Sequence, residues 1–369
     1  MPEGFSLLLI VVIVLAVGFD YINGFHDTAN AIATSVSTRA LRPSHAILMS
    51  ATANFVGALT GTAVAKTIAS GIATTPTGDD GQIVVAAALV GAIFWNLLTW
   101  RLGIPSSSSH ALIGGLIGAV IASLGPTALI GQGIVDKVLF PLVASPVLGV
   151  ALGFSLMVVL LNVFKRAHPR VINDRFRRLQ VLSAAYMAFS HGSNDAQKTM
   201  GIITLALFAG GVIADQTVPL WVILMAATAI SLGTAAGGWR IIKTMGQRVV
   251  KLDPVHGFAA ETTAATIIIG ASHFGMPVST THVISSAIMG VGSSDRFSAV
   301  RWGVAGNIVI AWVLTLPASA AVGGLTYAVV AAFGTHSAGP IVVSVLLLTL
   351  LTAAFIRRVA AGRTLTAEG

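Results

Sequence analysis

Asp27 and Asp195 are the residues in this chain best placed to do chemistry. They stand in Gly24-Phe25-His26-Asp27-Thr28-Ala29-Asn30-Ala31 and Gly192-Ser193-Asn194-Asp195-Ala196-Gln197-Lys198-Thr199, inside long apolar stretches. Each follows a His or Asn and precedes an amide by two or three residues. An Asp at the centre of a membrane helix costs roughly 2.5–3.5 kcal/mol on insertion scales, so a chain keeps one there for an ion or a pathway. Carboxylate and amide oxygens without thiols suit hard cations such as sodium, magnesium or calcium, or a proton on the carboxylate. The plainer alternative, that each Asp only caps a following helix, leaves the paired neighbours unexplained. His26 adds an imidazole, which exchanges protons near neutral pH; the alternative is a structural, hydrogen-bonded ring. Lys198 adds charge to the site or a salt bridge to a carboxylate. Glu261 is a lone acid placed to act as a cation ligand or gate.

Clustered hydroxyls form a second chemical feature, and it occurs twice. Gly103-Ile104-Pro105-Ser106-Ser107-Ser108-Ser109-His110 and Gly275-Met276-Pro277-Val278-Ser279-Thr280-Thr281-His282 lie 172 residues apart. Glycine and proline end one helix and hydroxyl residues open the next. A helix start offers free N–H groups and about half a positive charge, which suits an oxyanion. Two such ends offset about one unit of charge, too little for a dianion, so a bound cation or proton must supply the rest. Small hydroxyl residues are also ordinary at helix contacts in membranes, but a duplicated order argues for a site. His110 and His282 close the two motifs, where they orient the hairpins by hydrogen bonds or touch the substrate.

The elements that must position these residues are membrane helices. Only 9% of the 369 residues are charged, 55% are hydrophobic and the mean hydropathy is +0.88; a soluble domain carries about 25% charge. Segments 5–19, 46–65, 83–100, 138–164, 202–214, 218–236, 302–332 and 340–356 are apolar enough to enter or span a bilayer. The first reads as a retained helix, since it lacks a basic flank and runs straight into polar residues. The net charge of +8 sits in loops, where it sets orientation; nucleic-acid binding is not indicated. With no cysteine, disulfide, iron–sulfur and thiolate–zinc chemistry are excluded.

Loop charges organise the chain as 1–164, a basic linker 165–178, 179–333, and an added helix and tail 334–369. The positive-inside rule puts the linker and Arg39 and Arg42 in the cytoplasm, with the N-terminus and loop 66–81 outside. A first hairpin, roughly 83–124, then enters from outside, and a second, roughly 256–292, from the cytoplasm. Asp27 and Asp195 are offset by 168 residues and Pro146 and Pro317 by 171. The expected fold is thus an all-α polytopic membrane protein, an inverted-topology repeat with two broken-helix hairpins and about 10–12 membrane segments, suited to alternating access about a midplane site. An intramembrane aspartyl enzyme would use both aspartates but give the hairpins no role, and no His-Glu-x-x-His or Gly-x-Ser-x-Gly occurs. A passive channel would explain the broken helices but not two acids in inverted positions.

These residues resemble the inorganic phosphate transporter family, also called the Pit family, marked by a twice-occurring Gly-Ala-Asn-Asp-type motif beside Ser/Thr-rich hairpins. The second copy, His191 to Lys198, is close to that pattern. The first departs from the sodium-coupled branch by placing His26 where that branch has Asn, and is similar to bacterial Pit-type transporters, in which a proton drives uptake of phosphate as a neutral metal–phosphate complex. The resemblance runs from about Gly18 to Ala321. It implies a multi-pass protein of the plasma (inner) membrane, a homodimer, and no resident cofactor, the divalent metal being part of the substrate. By position it implies that Ser107, Ser108, Ser109, Ser279, Thr280, Thr281 and Gln197 hold phosphate. Asp27 and Asp195, with Asn30 and Asn194, serve the coupling cation or proton, and the same two aspartates face the metal. Sodium coupling and sulfate transport are the alternatives within the family; paired aspartates near the anion lean towards phosphate, which donates as well as accepts hydrogen bonds.

Overall fold

The computed structural model describes residues 6–334. Among them every element is helical, apart from one isolated bridge between Ala73 and Leu129. Helix α1 (Leu7–Ser37) starts at Ser6, whose hydroxyl accepts from the Leu9 N–H at 3.1 Å. Next come α2 (Pro43–Ala58) and α3 (Ala63–Ser70), bent by 69° at their junction. The first hairpin is α4 (Asp79–Leu102) and α5 (Ser108–Leu124). A short α6 (Gly131–Ile134) runs through a π turn into α7 (Phe140–Phe164), and α8 (Pro169–Ala209) follows. After α9 (Leu220–Ala236) and α10 (Trp239–Lys243), a pair bent by 61°, comes the second hairpin, α11 (Pro254–His273) and α12 (Thr280–Asp295). The described part closes on α13 (Trp302–Ala332).

Among the described residues four helices are long and apolar enough to cross a membrane alone, α1, α4, α6–α7 and α13, or up to six crossings counting the two bent pairs. The polar residues of the interior are carried by α1 and α4 together with α5, α8, α11 and α12. Large apolar side chains point outward along α7 and α13, among them Phe140, Val143, Val163, Val313 and Leu325. Such a belt is intolerable in water and natural against lipid.

Three sequence boundaries shift. The apolar segment 5–19 belongs to a helix that continues through Asp27 to Ser37. The segment 202–214 is the end of the 41-residue α8 rather than a helix of its own. The basic linker 165–178 is mostly helical, since α8 begins inside it: the His168 side chain accepts from Arg170 N–H at 3.3 Å, and Phe176 sits between Phe164 and Phe258 at ring distances of 5.4 and 5.3 Å. Apolar residues on one face of the basic stretch make it a helix end. The proposed helix 340–356, with Arg357, Arg358 and Arg363, lies outside the described residues.

Packing partners recur in matched pairs. Helix α1 lies on α9 as α8 lies on α2, and α5 lies on α13 as α12 lies on α7. There are two apolar cores, one holding α4 and α5 and the other α11 and α12. Helix α1 enters the first core with Leu9 to Phe19 and the second with Ala29 to Ala33. Helix α8 does the reverse, with Met187 and Ala188 in the second core and Ala196 to Leu207 in the first. The aspartates sit between the cores, where both helices pass.

Close approach at that level depends on glycine. A Cβ on Gly24 would lie 2.3 Å from the Ile230 carbonyl oxygen of α9, and one on Gly192 would lie 2.1 Å from that of Asn54 on α2. Small residues let membrane helices come into backbone contact. Gly192→Ala is therefore expected to destabilise by about 1–3 kcal/mol through overpacking, whereas Gly18→Ala, with nothing within 4 Å, is neutral. Thermal melting of the purified variants in one detergent compares them directly.

Candidate functional site

The hairpin tips are built alike. At the end of α4, Gly103 takes φ 67° and the Ile104 N–H returns to the Thr99 carbonyl at 3.0 Å; at the end of α11, Gly275 takes φ 64° and the Met276 N–H returns to Ala271 at 2.9 Å. These are glycine-terminated helix ends, for which a left-handed residue is required. Proline follows each, and a serine then caps the next helix. Ser107 accepts from the His110 N–H at 3.1 Å, and Ser279 from the His282 N–H at 3.2 Å. In both caps the serine oxygen accepts, so its own O–H is left to donate. The two starts face each other, with the His110 and His282 rings 4.9 Å apart and His282 stacked on Trp312 at 4.1 Å. Each tip rests on a bent-pair helix: Thr67 Oγ1 of α3 donates to the Gly275 carbonyl at 2.7 Å, and Thr244 Oγ1, just after α10, to that of Gly103 at 2.9 Å.

Asp27 and Asp195 lie inside continuous helices, which excludes the helix-cap explanation. Both are buried, and with His191 they form a group whose ligand atoms lie within 4.8 Å of one another. His26 Nδ1 is 2.6 Å from Asp27 Oδ1, and its Nε2 is 3.2 Å from Thr99 Oγ1. Lys198 Nζ donates to Asp195 Oδ1 at 2.5 Å, to the Val278 carbonyl at 3.0 Å, and to Ser109 Oγ. The other oxygen, Asp195 Oδ2, faces Asn23 Nδ2 at 3.5 Å and His191 Nε2 at 3.4 Å.

The second hairpin is tied to both acids. Thr281 Oγ1 donates to Asp27 Oδ1 at 3.5 Å and Thr280 Oγ1 to Asp195 Oδ2 at 3.4 Å. Asn30 Nδ2 donates to both hydroxyls, at 2.9 Å to Thr281 and 3.2 Å to Thr280. Both threonine hydroxyls thus face carboxylates at 3.4 and 3.5 Å, longer than the usual O–H···O hydrogen bond.

The structure brings together Asp27, Asp195, His26, Asn30, Ser109, Thr280 and Thr281. Ser107 and Ser279 sit one or two residues away as caps, and the buried Ser108 hydroxyl has no hydrogen-bond partner among the described residues. Asn194 lies at the second tip, donating to Ser272 Oγ at 2.8 Å and the Met276 carbonyl at 3.2 Å. Gln197 serves α3 instead, accepting from the Val64 N–H at 2.8 Å and donating to the Ser193 carbonyl at 2.6 Å. Glu261 belongs to a separate buried cluster, accepting from Thr34, Ser183 and, at 3.1 Å, Gln180.

Sequence reasoning passed over Asp20, Asn23, His191 and Thr99. Asp20 is fully buried beside Thr199 and Asn23 and within electrostatic reach of Asp195 and Lys198. Asn23 and His191 stand one helical turn before Asp27 and Asp195, on the same faces. That four-residue step was the signal that could have found them.

A metal ion fits this donor set. Asn54 Nδ2 donates to Thr234 Oγ1 at 2.9 Å, so its oxygen faces His191 Nδ1, also at 2.9 Å. The Nδ1–H donates there and leaves the Nε2 lone pair pointing towards the carboxylates, as in a metal-ligating histidine whose other nitrogen is held by a hydrogen bond. Two carboxylates and one imidazole suit a divalent cation.

Residues 23–323 match the family described as the phosphate transporter family. A protein of Bacillus subtilis (strain 168) named "Probable low-affinity inorganic phosphate transporter" is 51% identical over 322 residues, 87% of this chain and 96% of its own. A protein of the same name from Rhizobium meliloti (strain 1021) is 49% identical with the same coverage. The fold is similar to a solved structure named "The sodium-dependent phosphate transporter", with TM-score 0.83 and 26% identity over 88% of this chain and 99% of that one.

The matched caps set an expectation for stability. Ser107→Ala and Ser279→Ala each remove one acceptor from a buried helix start and should each cost about 1 kcal/mol. The double variant should depart from additivity, because the capped turns touch through His110 and His282. Melting temperatures of the four proteins complete the cycle.

Proposed function

The chain belongs to the phosphate transporter family, and on that premise we propose that it imports inorganic phosphate across the plasma membrane by proton symport. The phosphate travels as its neutral complex with a divalent metal. The observation that carries this reading is the engagement of Thr280 and Thr281 by Asp195 and Asp27. While those carboxylates carry no proton or bound metal, the two hydroxyls point at them. A proton or cation on the acids frees the hydroxyls to turn and donate to an oxyanion, alongside Ser107, Ser108 and Ser279. Binding of the anion and neutralisation of the acids then favour each other, which is coupling in the thermodynamic sense.

His26 and Asp27 form the proton-carrying pair. The Thr99 hydroxyl also lies 2.9 Å from the Trp95 carbonyl. When Thr99 donates to Trp95, its oxygen is left to accept from His26 Nε2, while Nδ1 faces Asp27. The metal of the cargo would lie among Asp27, His191 and Asp195, where its charge adds to that of the two helix starts in balancing phosphate.

Alternating access is supported by the matched packing. The hairpin side chains are sealed from solvent, Ser107 to Ser109 and Ser279 to Thr281 being at most 2% exposed. Opposite passage of α1 and α8 through the two cores supports an inverted repeat. So does contact of the first tip with α10 and of the second with α3, because the positive-inside rule reads the basic run Arg240, Lys243, Arg248 and Lys251 as cytoplasmic and loop 66–81, with Lys66, as outside. The name of the structural neighbour favours a second reading, sodium coupling, in which Asn30 Oδ1 beside Asp27 completes an ion site.

The test is radiolabelled phosphate uptake into proteoliposomes under a pH gradient or a sodium gradient, with and without magnesium. Uptake driven by protons alone and enhanced by magnesium is expected. A sodium requirement overturns the proton assignment, and sulfate uptake without phosphate uptake overturns the substrate. Asp27→Asn should abolish gradient-driven uptake while the protein still inserts; normal uptake would remove Asp27 from coupling. Ser108→Ala with Thr280→Ala should weaken phosphate affinity about tenfold or more with little change in the pH profile. His26→Asn removes the proton carrier, and a sodium requirement appearing in that variant is the expected result.

A further inference from the structure

The two halves meet their aspartates with different cations. At the 168-residue offset that relates Asp27 to Asp195, Asn30 corresponds to Lys198. The pair does equivalent work across the halves: Asn30 of α1 donates to Thr281 of the second hairpin, and Lys198 of α8 donates to Ser109 at the corresponding place in the first. The difference lies in charge. Asn30 presents a carbonyl, Oδ1, that is buried and has no hydrogen-bond partner among the described residues. Lys198 presents an ammonium, only 1% exposed.

The surroundings of that ammonium are those of a bound cation. Nζ is held by a carboxylate oxygen of Asp195, a hydroxyl oxygen of Ser109 and the backbone carbonyl of Val278. Ser109 Oγ itself donates to the Val278 carbonyl at 3.1 Å, so a hydroxyl lone pair faces Nζ. Carboxylate, hydroxyl and carbonyl oxygens are the hard donors that ligate a monovalent metal ion. They come from three elements, α8 and the openings of both hairpins. An ammonium has three N–H groups and meets three acceptors here, which leaves none over.

We propose that Lys198 is a tethered replacement for a coupling cation. Its ammonium occupies the monovalent-cation position of the Asp195 half and keeps a free ion out, so that an exchangeable charge enters only through the Asp27 half. The proposal rests on the transport reading for its meaning, but the cation position itself is a matter of binding. Asp195 Oδ2 is left free for the other side of the site, where His191 and Thr280 approach.

Shortening the side chain should open the position to an ion, whereas an apolar side chain of equal length should close it without charge. Lys198→Asn and Lys198→Met make that comparison, with Lys198→Gln as a second oxygen-bearing variant. Two readouts are taken: melting temperature of purified protein against sodium at constant ionic strength with potassium or N-methylglucamine, and phosphate uptake in proteoliposomes. Lys198→Asn should lose about tenfold or more of its uptake without sodium, since Asp195 is left without its partner. It should regain both stability and uptake as sodium is added, with a saturable rise that wild type and Lys198→Met do not show. If Lys198→Asn folds only when prepared in sodium, the result is the same in kind. Absence of any added sodium response in both Lys198→Asn and Lys198→Gln overturns the proposal and leaves Lys198 a crossbrace between hairpins. An equal response in Lys198→Met overturns it too, by placing the ion elsewhere. Should wild type transport no phosphate at all, the function reading fails while the sodium titration of stability still decides this one.

Discussion

A carboxylate buried midway along an apolar helix has to be neutralised where it stands, because it is sealed from solvent and the helix cannot withdraw it. Asp27 and Asp195 are such groups, and the interior is arranged around their need for partners. His26 stands 2.6 Å from one and Lys198 2.5 Å from the other. The remaining acceptor capacity is met by Thr280, Thr281 and Asn23. To deliver those hydroxyls the second hairpin must break at this depth, and to bring the two acids together α1 and α8 must pass in the same layer. That passage in turn requires backbone contact with α9 and α2 at Gly24 and Gly192. The glycines, the broken hairpins and the bent pairs thus follow from one electrostatic demand.

The two hairpins are built alike, and the chemistry around them is not. Corresponding positions do corresponding structural work in both halves: caps at Ser107 and Ser279, tip supports at Thr244 and Thr67, cross-links at Asn30 and Lys198. Yet one aspartate is paired with an imidazole, whose charge is exchangeable, and the other with an ammonium. Both hairpins are held, but by bonds of different strength, since an ion-paired ammonium donates more strongly than a neutral amide.

Much of this was legible in the sequence. The hairpins were visible because Gly-x-Pro followed by hydroxyls and His is a local signal for a helix stop and restart, and it appears twice. The two aspartates stood out because acids are rare in apolar stretches. The continuity of α1 and α8 was not legible, since an apolar scan stops at polar residues while the backbone does not: once Asp27, Asp195 and Lys198 find partners, nothing ends the helix. Partners one helical turn away, such as His191, are hidden in the linear sequence until the helix is known to run unbroken past them. Gln197 and Glu261 show the opposite limit. Their residue types suit a site, but their side chains are spent on the start of α3 and on a separate cluster with Thr34, Ser183 and Gln180, and only the fold could reveal that.

The absence of guanidinium groups from the interior bears on how an anion would be handled. Among the described residues no arginine is buried, and the one buried lysine is committed to Asp195. A bidentate arginine would hold an oxyanion with fixed geometry and charge-assisted bonds, which favours retention. Hydroxyls and helix starts are neutral donors, and the hydroxyls can rotate back to the carboxylates when the acids lose their proton or metal. In the proposed transport cycle the same groups would serve binding and release, with the balance between them set by the charge on Asp27 rather than by movement of a fixed cation. A site made of rotatable dipoles around titratable acids can change its affinity for an anion within one fold, which is what a carrier that opens to two sides requires.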